Sequence, residues 1–205
     1  MLDNKGFDLW ADGYDKSVGL SDEENTYPFA GYKDILNKIY KSVLEAKAKD
    51  VLDIGFGTAT LTSRLYDQGI RIYGQDFSEE MMKIAKEKMP NADLYAGDFV
   101  RGLASALLDH KYDAIIATYS LHHLGDEEKV SFIKSLVSIL NEGGKIYIGD
   151  VAFWSRKDLE ACRQEAKAYW DEDEFYFVYD ELKKEFSNLS FDQVSFCAGI
   201  LTIGK

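Results

Sequence analysis

Proline, cysteine and long apolar runs are scarce in this 205-residue chain. It has two prolines and no Ser/Gly-rich stretch, so we find no linker and predict one folded unit. The two cysteines, Cys162 and Cys197, lack metal-ligand spacing; we predict reduced thiols and no metal. The N-terminus lacks a basic segment followed by an apolar stretch, and nowhere do about 18 apolar residues run together. We therefore predict a cytoplasmic protein without a membrane span.

Positively charged residues are also few. The chain has 24 Lys and Arg residues against 36 Asp and Glu residues, which gives a formal net charge of -12. A phosphate backbone repels such a surface, and no local basic patch is visible, so we predict no nucleic-acid partner. The acidic run Asp171–Glu174 is interpreted as a solvated turn.

Short apolar strands alternate with helical stretches through the middle of the chain. Runs such as Ala114-Ile115-Ile116-Ala117 do not alternate with polar residues, which is typical of strands covered on both faces. We predict an α/β fold with a doubly wound, mostly parallel sheet. The predicted strands are 50–54, 70–75, 92–96, 112–118 and 145–151, and the helices between them are 58–68, 78–88 and 126–140.

Two flanking parts lie outside this alternation. The predicted organisation is a single domain over residues 1–205, made of an N-terminal helical cap (1–48), a cofactor-binding core (49–151) and a C-terminal part (152–205). Two closing strands around Cys197-Ala198-Gly199 would add an antiparallel hairpin and complete a seven-stranded sheet. The flanking elements are predicted as helices at 7–17, 29–46, 155–170 and 180–186 and strands at 191–196 and 200–204.

The most informative segment is a junction between a strand, a loop and a helix. Val51–Ile54 leads directly into Gly55-Phe56-Gly57-Thr58-Ala59-Thr60. Small residues there let a ligand approach bare backbone, and the following helix directs its free N–H groups at that ligand. Asp76 ends the next predicted strand, where a carboxylate can bind a ribose hydroxyl pair. We therefore predict a nucleoside-bearing cofactor.

The glycine spacing does not identify this cofactor by itself. A dinucleotide-binding fingerprint requires glycine at the sixth loop position, where Thr60 stands, and a phosphate-binding loop would end in Gly-Lys-Ser/Thr. Both fingerprints are therefore absent from this loop.

A series of motifs indicates a family. Asp53-x-Gly55-x-Gly57, Asp76, Gly97-Asp98-Phe99 and Leu140-x-x-Gly143-Gly144 resemble the ordered motifs of class I S-adenosylmethionine-dependent methyltransferases. The segments around Trp10–Val18 and Thr118–Leu124 resemble the YrrT-type methyltransferases of Gram-positive bacteria, and that likeness extends over most of the chain. One departure is Ala59, where the family usually has a third loop glycine.

The resemblance implies S-adenosylmethionine as cofactor and a role for each motif residue. Gly55 and Gly57 would admit its amino-acid part, Asp53 would hold its ammonium group, and Asp76 would bind both ribose hydroxyls. Phe77 and Phe99 would flank the adenine, Asp98 would accept its amino hydrogen bond, Tyr119 would line the pocket near the sulfonium, and Tyr14 would cover the cofactor as a lid. Each also has a structural alternative: loop cap (Asp53), helix N-terminal acid (Asp76), turn former (Asp98), or packing residue (Phe77, Phe99, Tyr14).

Catalytic groups are harder to identify, because attack on a sulfonium methyl needs a base only if the acceptor carries a proton. His122 and His123 follow the fourth strand, close to the expected methyl position, and are the candidates; His110 is interpreted as a surface residue. The alternative is that one histidine packs and the other caps the next helix. Trp10, Trp154, Tyr169 and Trp170 are candidate walls of an acceptor pocket or ordinary buried aromatics.

The predicted function is methyl transfer from S-adenosylmethionine to a small-molecule acceptor. Two alternatives stay open at this point. One is a non-catalytic S-adenosylmethionine-binding protein, and the other, less favoured, is an NAD-type oxidoreductase. The motifs identify neither the acceptor nor its target atom.

Overall fold

A mostly parallel sheet forms the centre of the computed structural model, which describes Val18 and residues 21–205. In the order β3-β2-β1-β4-β5-β8-β7, the first five strands run parallel, whereas β8 and β7 are antiparallel to their neighbours. The short β6 pairs with the end of β5. The strands are β1 (Asp50–Ile54), β2 (Arg71–Asp76), β3 (Asp93–Ala96), β4 (Tyr112–Thr118), β5 (Leu140–Phe153), β6 (Phe177–Val178), β7 (Leu189–Gln193) and β8 (Ala198–Gly204).

Helices connect the strands. The prediction of a doubly wound α/β fold with seven main strands and a terminal antiparallel pair is confirmed. The helices are α1 (Tyr32–Glu45), α2 (Thr62–Tyr66), α3 (Glu79–Lys88), α4 (Ser105–Leu108), α5 (Asp126–Ser138), α6 (Arg156–Ala166) and α7 (Tyr179–Leu182).

The sheet has a hydrophobic core on each face. Successive residues of β4 point to opposite sides, so Ala114 and Ile116 belong to one buried cluster and Ile115 and Ala117 to the other. Helices α1, α2, α3 and α6 contribute to the first cluster, and α4, α5 and α7 to the second. The continuous apolar run in β4 is therefore explained by burial on both faces.

Strand order determines where ligands can bind. β1 lies between β2 and β4, with Ile54 paired to Gln75 on one side and Ala117 on the other. The winding of the chain reverses between β1 and β4, and open α/β sheets bind ligands at the carboxyl ends of the strands at such a point. The ends of β1, β2 and β4 therefore define the candidate site.

Several predicted boundaries are wrong. Asn141–Gly144 does not end the preceding helix as a loop but lies within β5, where it forms a bulge between the pairs Tyr112–Leu140 and Ala114–Lys145. A Cβ at Gly144 would lie 2.9 Å from the Asn141 carbonyl oxygen, so only glycine fits this close approach. Helix α2 begins at Thr62 rather than at residue 58, because Ala59 has a left-handed φ of 58°.

The C-terminal elements are also shifted. The closing hairpin turns at residues 194–197, earlier than predicted, and β8 already begins at Ala198. α6 ends at Ala166 and α7 at Leu182, both before their predicted ends. The predicted helix at 7–17, together with Trp10 and Tyr14, falls outside the described residues. Within the described part of the chain, no helix combines the length and apolarity that a bilayer crossing requires.

Gly149 provides a test of how α1 packs on the sheet. A Cβ at Gly149 would lie 2.4 Å from Ile35 and 3.0 Å from Ile39, whereas one at Gly204 would meet nothing within 4 Å. We expect Gly149→Ala to reduce the free energy of unfolding by about 1–3 kcal/mol, the usual effect of overpacking. The control Gly204→Ala should change it little. Urea unfolding measures both, and equal effects would contradict this packing.

Candidate functional site

The loop after β1 has an unusual backbone. Gly55, Gly57 and Ala59 have φ values of 68°, 53° and 58°. A side chain at Gly55 would place its Cβ 2.6 Å from the Cβ of Ser120, which itself donates a hydrogen bond to the Ile54 carbonyl (2.8 Å). Glycine is therefore required at position 55 by close approach as well as by φ, while Ala59 keeps the loop conformation despite its methyl group.

Asp53 is a buried carboxylate at the end of β1. Its Oδ2 accepts a hydrogen bond from the Thr62 hydroxyl (3.0 Å), but its Oδ1 accepts none from the residues that the structure describes. Burial raises the pKa of Asp53 to about 7. The hydrogen bond from Thr62 lowers this pKa in part, and the nearby charge of Asp76 raises it further. With Gly55, Gly57 and Tyr32, Asp53 lines a narrow pocket, called the loop pocket below.

Asp76 links this loop to the end of β2. Its Oδ2 accepts a hydrogen bond from the Gly57 amide (2.8 Å) and its Oδ1 one from the Ser78 amide (2.9 Å). The carboxylate therefore fixes the glycine loop. It also fixes the start of α3, because the amide that it accepts belongs to the N-cap residue, Ser78. A carboxylate oxygen can accept more than one hydrogen bond.

A second cavity, called the β2–β3 cleft below, opens beside the ends of these strands. It has a volume of about 630 Å³, within the range of small-molecule sites, and Phe77 and Asp98 both line it. Gln75 shapes its wall, because its side chain donates to the Gly102 carbonyl (3.1 Å) and accepts from the Ala104 amide (2.8 Å). Two residues predicted to bind the same group therefore share one cleft.

Asp98 and Phe99 have different surroundings. The Asp98 side chain is 41% exposed, and its Oδ1 accepts a hydrogen bond from the Val100 amide (3.0 Å). Phe99 is buried and packs on Phe132, so it lines a neighbouring depression rather than the β2–β3 cleft. Phe99 also lies beneath the glycine loop, 3.5 Å from where a Cβ of Gly55 would be.

Tyr119 follows β4 with a left-handed φ of 51° and is buried. Its ring packs at 5.1 Å from that of Phe29 and 5.3 Å from that of Tyr32. Because Tyr32 also lines the loop pocket, the start of α1 contributes to the site. The sequence analysis did not identify Phe29 or Tyr32, and no motif distinguishes them from ordinary aromatic residues.

His122 is held between two carboxylates. Its Nδ1 lies 2.7 Å from Oδ1 of Asp150 at the carboxyl end of β5, and its Nε2 lies 3.4 Å from Oε1 of Glu174. Burial alone would lower the pKa of His122, but the charge and hydrogen bond of Asp150 outweigh it, so the pKa is raised. Asp150 Oδ2 has no hydrogen-bond partner among the described residues.

His123 lies against His122, with ring centroids 4.3 Å apart. Burial, and then the charge of His122, lower the pKa of His123 to about 4, so its imidazole is neutral at physiological pH. The two histidines therefore differ in charge behaviour although they are adjacent in the sequence.

Glu174 differs from the solvated turn that the acidic run predicted. Asp171, Glu172 and Asp173 are exposed, but Glu174 is half-buried beside His122. Its Oε2 accepts a hydrogen bond from the Tyr176 hydroxyl (2.7 Å). The reason is a backbone contact: the Phe175 amide donates to the His122 carbonyl (2.8 Å) and draws this part of the run inward.

The predicted aromatic pocket walls lie in different places. Trp170 stacks on Tyr27 at 5.4 Å, close to Tyr176 and the histidines. Trp154 instead packs on Tyr179 and is 47% exposed, and Tyr169 is 85% exposed. Neither exposed residue forms part of a common wall with Trp170.

His110, expected at the surface, does lie apart from the other two histidines. Its ring stacks on Tyr73, with centroids 4.5 Å apart. The side chain remains 38% exposed.

Comparisons with known proteins agree with this geometry. Residues 51–144 match the family described as "Methyltransferase domain". An uncharacterized methyltransferase from Geobacillus sp. (strain WCH70) is 39% identical over 181 residues, which cover 88% of this chain and 80% of the relative. Another from Alkaliphilus oremlandii is 35% identical over 183 residues, covering 89% and 81%.

Solved structures share the fold. A magnesium protoporphyrin IX methyltransferase from Synechocystis PCC 6803 with bound SAH superposes with a TM-score of 0.67 at 19% identity, covering 86% of this chain and 84% of that one. A DhpI–SAM–HEP complex has a TM-score of 0.67 at 22% identity, covering 96% and 92%. At these identities the likeness concerns the fold alone.

The raised pKa of Asp53 predicts a stability effect. Between the unfolded value of about 4 and the folded value of about 7, the folded state keeps a proton that the unfolded state has lost. Stability should therefore fall as the pH rises through this window, by up to about 1.4 kcal/mol per pH unit. We expect Asp53→Asn to remove this slope, whereas Asp67→Asn, at an exposed acid, should retain it. Urea unfolding at several pH values measures the slopes, and parallel slopes in wild type and Asp53→Asn would contradict the assignment.

Proposed function

Because the chain belongs to the class I S-adenosylmethionine-dependent methyltransferases, we propose that it transfers a methyl group to a small-molecule acceptor. The observation that carries this proposal is the position of Asp76 between residues of the two cavities. Its carboxylate accepts a hydrogen bond from the amide of Gly57, which lines the loop pocket, and its sequence neighbours Gln75 and Phe77 line the β2–β3 cleft. A ligand with an amino-acid part, a ribose and an adenine would bring its ribose to this carboxylate.

The residues present match the chemistry of the cofactor at both ends, although the loop pocket, with a volume of about 20 Å³, must open to admit the amino-acid part. Asp53 carries a buried oxygen with no described partner, and a positively charged ammonium group satisfies such an oxygen. The β2–β3 cleft is large enough for an adenine, with Phe77 for stacking and Asp98 to accept from its amino group. We assign Gly55 and Gly57 to the approach of the amino-acid part, Tyr119 to the neighbourhood of the sulfonium, and Phe99 to support of the loop. For Tyr14, the lid role stays a proposal from the sequence.

When bound, S-adenosylmethionine supplies a methyl group already activated by a sulfonium. What the protein contributes is position and exclusion of water. Phe29, Tyr32 and Tyr119 form an aromatic cluster beside the loop pocket, and electron-rich ring faces attract a positive charge. In this proposal the cluster orients the acceptor side of the site and keeps water away from the methyl group.

We propose that acceptor activation takes place at His122 and His123. They follow Ser120 and Leu121 in the turn after β4, the strand whose last residue, Thr118, lines the loop pocket. Asp150 fixes the ring of His122, and Glu174 faces its other nitrogen. His122 therefore lies in a structured polar environment rather than in ordinary core packing, and His123 packs against its ring.

The acceptor is proposed to be a metabolite rather than a nucleic acid. A formal net charge of -12 opposes a phosphate backbone.

The cysteines bear on the compartment. Both Cys162 and Cys197 are buried free thiols, which supports the proposal of a reducing, cytoplasmic setting.

The assignment of Asp76 predicts a loss of affinity for S-adenosylhomocysteine. Asp76→Ala removes the proposed ribose acceptor, so we expect the binding free energy to weaken by about 1–3 kcal/mol, as for hydrogen bonds to charged groups. Isothermal titration calorimetry measures it. Asp67→Ala is the matched control at an exposed acid, and Asp76→Asn separates loss of charge from loss of the Gly57 contact. Unchanged affinity in both Asp76 variants would contradict the proposal.

The assignment of Asp53 predicts a pH dependence of the same binding. Below its pKa of about 7, Asp53 must lose a proton before it can pair with the ligand's ammonium group. Affinity for S-adenosylhomocysteine should therefore rise by up to about tenfold per pH unit and level off above about pH 7. Asp53→Asn should bind more weakly and without this slope. Calorimetry between about pH 5.5 and 8 would refute the role if wild type and variant respond alike.

A further inference from the structure

Three side chains with ligand atoms for a metal converge beside the turn that follows β4. His122, His123 and Glu174 each bring one such atom, and all three atoms lie within 4.8 Å of one another. The prediction of no metal rested on the spacing of the two cysteines, and Glu174 is far from the histidines along the chain. Folding brings this carboxylate to the imidazole pair.

One separation suits a small divalent ion directly, whereas the spread of up to 4.8 Å over the three atoms requires a side chain to move on binding. His122 Nε2 and Glu174 Oε1 are 3.4 Å apart. Two ligand atoms at tetrahedral positions, each about 2.0–2.1 Å from a zinc ion, are about 3.3 Å apart. Two histidines and one glutamate also form a ligand set of catalytic zinc sites, in which the fourth position stays open for water or substrate.

The partners of these ligands are arranged as in a metal site. Metal-binding histidines commonly donate their other ring nitrogen to a carboxylate, which fixes the ring and its tautomer. Asp150 is such a carboxylate, because its Oδ1 lies 2.7 Å from Nδ1 of His122. The Tyr176 hydroxyl bonds Oε2 of Glu174, which leaves Oε1 directed at His122.

The segment that carries Glu174 is itself fixed in place. The Phe175 amide donates to the His122 carbonyl, and the buried Lys129 ammonium donates to the Phe175 carbonyl. Asp150 and Glu174 bring two carboxylates to His122, while Lys129 is directed at Phe175 and Asp126. This arrangement favours a doubly charged cation between the histidines and Glu174.

We propose that His122, His123 and Glu174 bind a divalent transition-metal ion of the zinc type, which takes up the methyl acceptor. This inference rests on the proposed function, and it specifies an acceptor with a hydroxyl or thiol that coordinates metals. Coordination favours loss of the acceptor proton to solvent. The acceptor oxygen or sulfur then bonds to the methyl carbon as the carbon–sulfonium bond breaks and its electron pair returns to sulfur.

Cobalt(II) is the probe, because its visible absorption reports tetrahedral nitrogen and oxygen ligands. Protein dialysed against a chelator is titrated with Co²⁺, and we expect an absorption band that saturates at one ion per chain. Asp150→Asn should weaken binding by about 10–100-fold, as for loss of an orienting partner, and Glu174→Gln or His123→Asn should weaken it more. The matched controls Glu172→Gln and His110→Asn should bind as wild type.

S-adenosylhomocysteine binding, measured by calorimetry without metal, separates the two proposals and shows that each variant is folded. If wild type binds S-adenosylhomocysteine but gives no cobalt band, the metal site is refuted and the proposed function stands. A band that persists unchanged in both Glu174→Gln and His123→Asn also refutes it. If the band behaves as expected but S-adenosylhomocysteine does not bind, the metal site stands and the proposed function falls.

Discussion

The hydrogen bond from the Gly57 amide to the Asp76 carboxylate is the contact on which the site depends. It joins the loop after β1 to the end of β2, two elements that the sheet already places side by side. Without it, the Gly57 amide would lose its acceptor, and the start of α3 would lose the carboxylate that accepts the Ser78 amide. One carboxylate thus couples the conformation of the glycine loop to the start of α3.

The sequence was sufficient for features that depend on local patterns. Apolar runs predicted the parallel strands, and loop residues predicted the junction after β1, because burial on both faces and left-handed backbone each leave a compositional trace. It failed where neighbouring strands decide the outcome. Asn141–Gly144 has the composition of a turn, yet pairing of β5 with β4 absorbs it as a bulge.

The surroundings of the histidines show more clearly that contacts made only by tertiary structure leave no local pattern in the sequence. His122 and His123 were identifiable because they follow β4, but Asp150 and Glu174 gave no local signal. Asp150 lies within the buried, apolar half of β5, and Glu174 belongs to an acidic run whose other members are solvent-exposed. Their positions follow from the pairing of β4 with β5 and from the contact between Phe175 and His122, which only tertiary structure creates.

The buried acids at this edge of the sheet also explain which ligands it favours. Asp53 and Asp150 each bury an oxygen that has no partner among the described residues, an arrangement that lowers stability in the free protein. In the proposed complexes, cationic groups would offset such a penalty: the ligand's ammonium beside Asp53, and a metal ion held by the histidine that Asp150 orients. A ligand that binds only the folded state stabilises it. A positively charged ligand also removes the cost of the unpaired buried oxygens, so this site favours cations over neutral or negatively charged ligands. The acidity of this edge is therefore a property of the site itself, distinct from the overall negative charge of the surface.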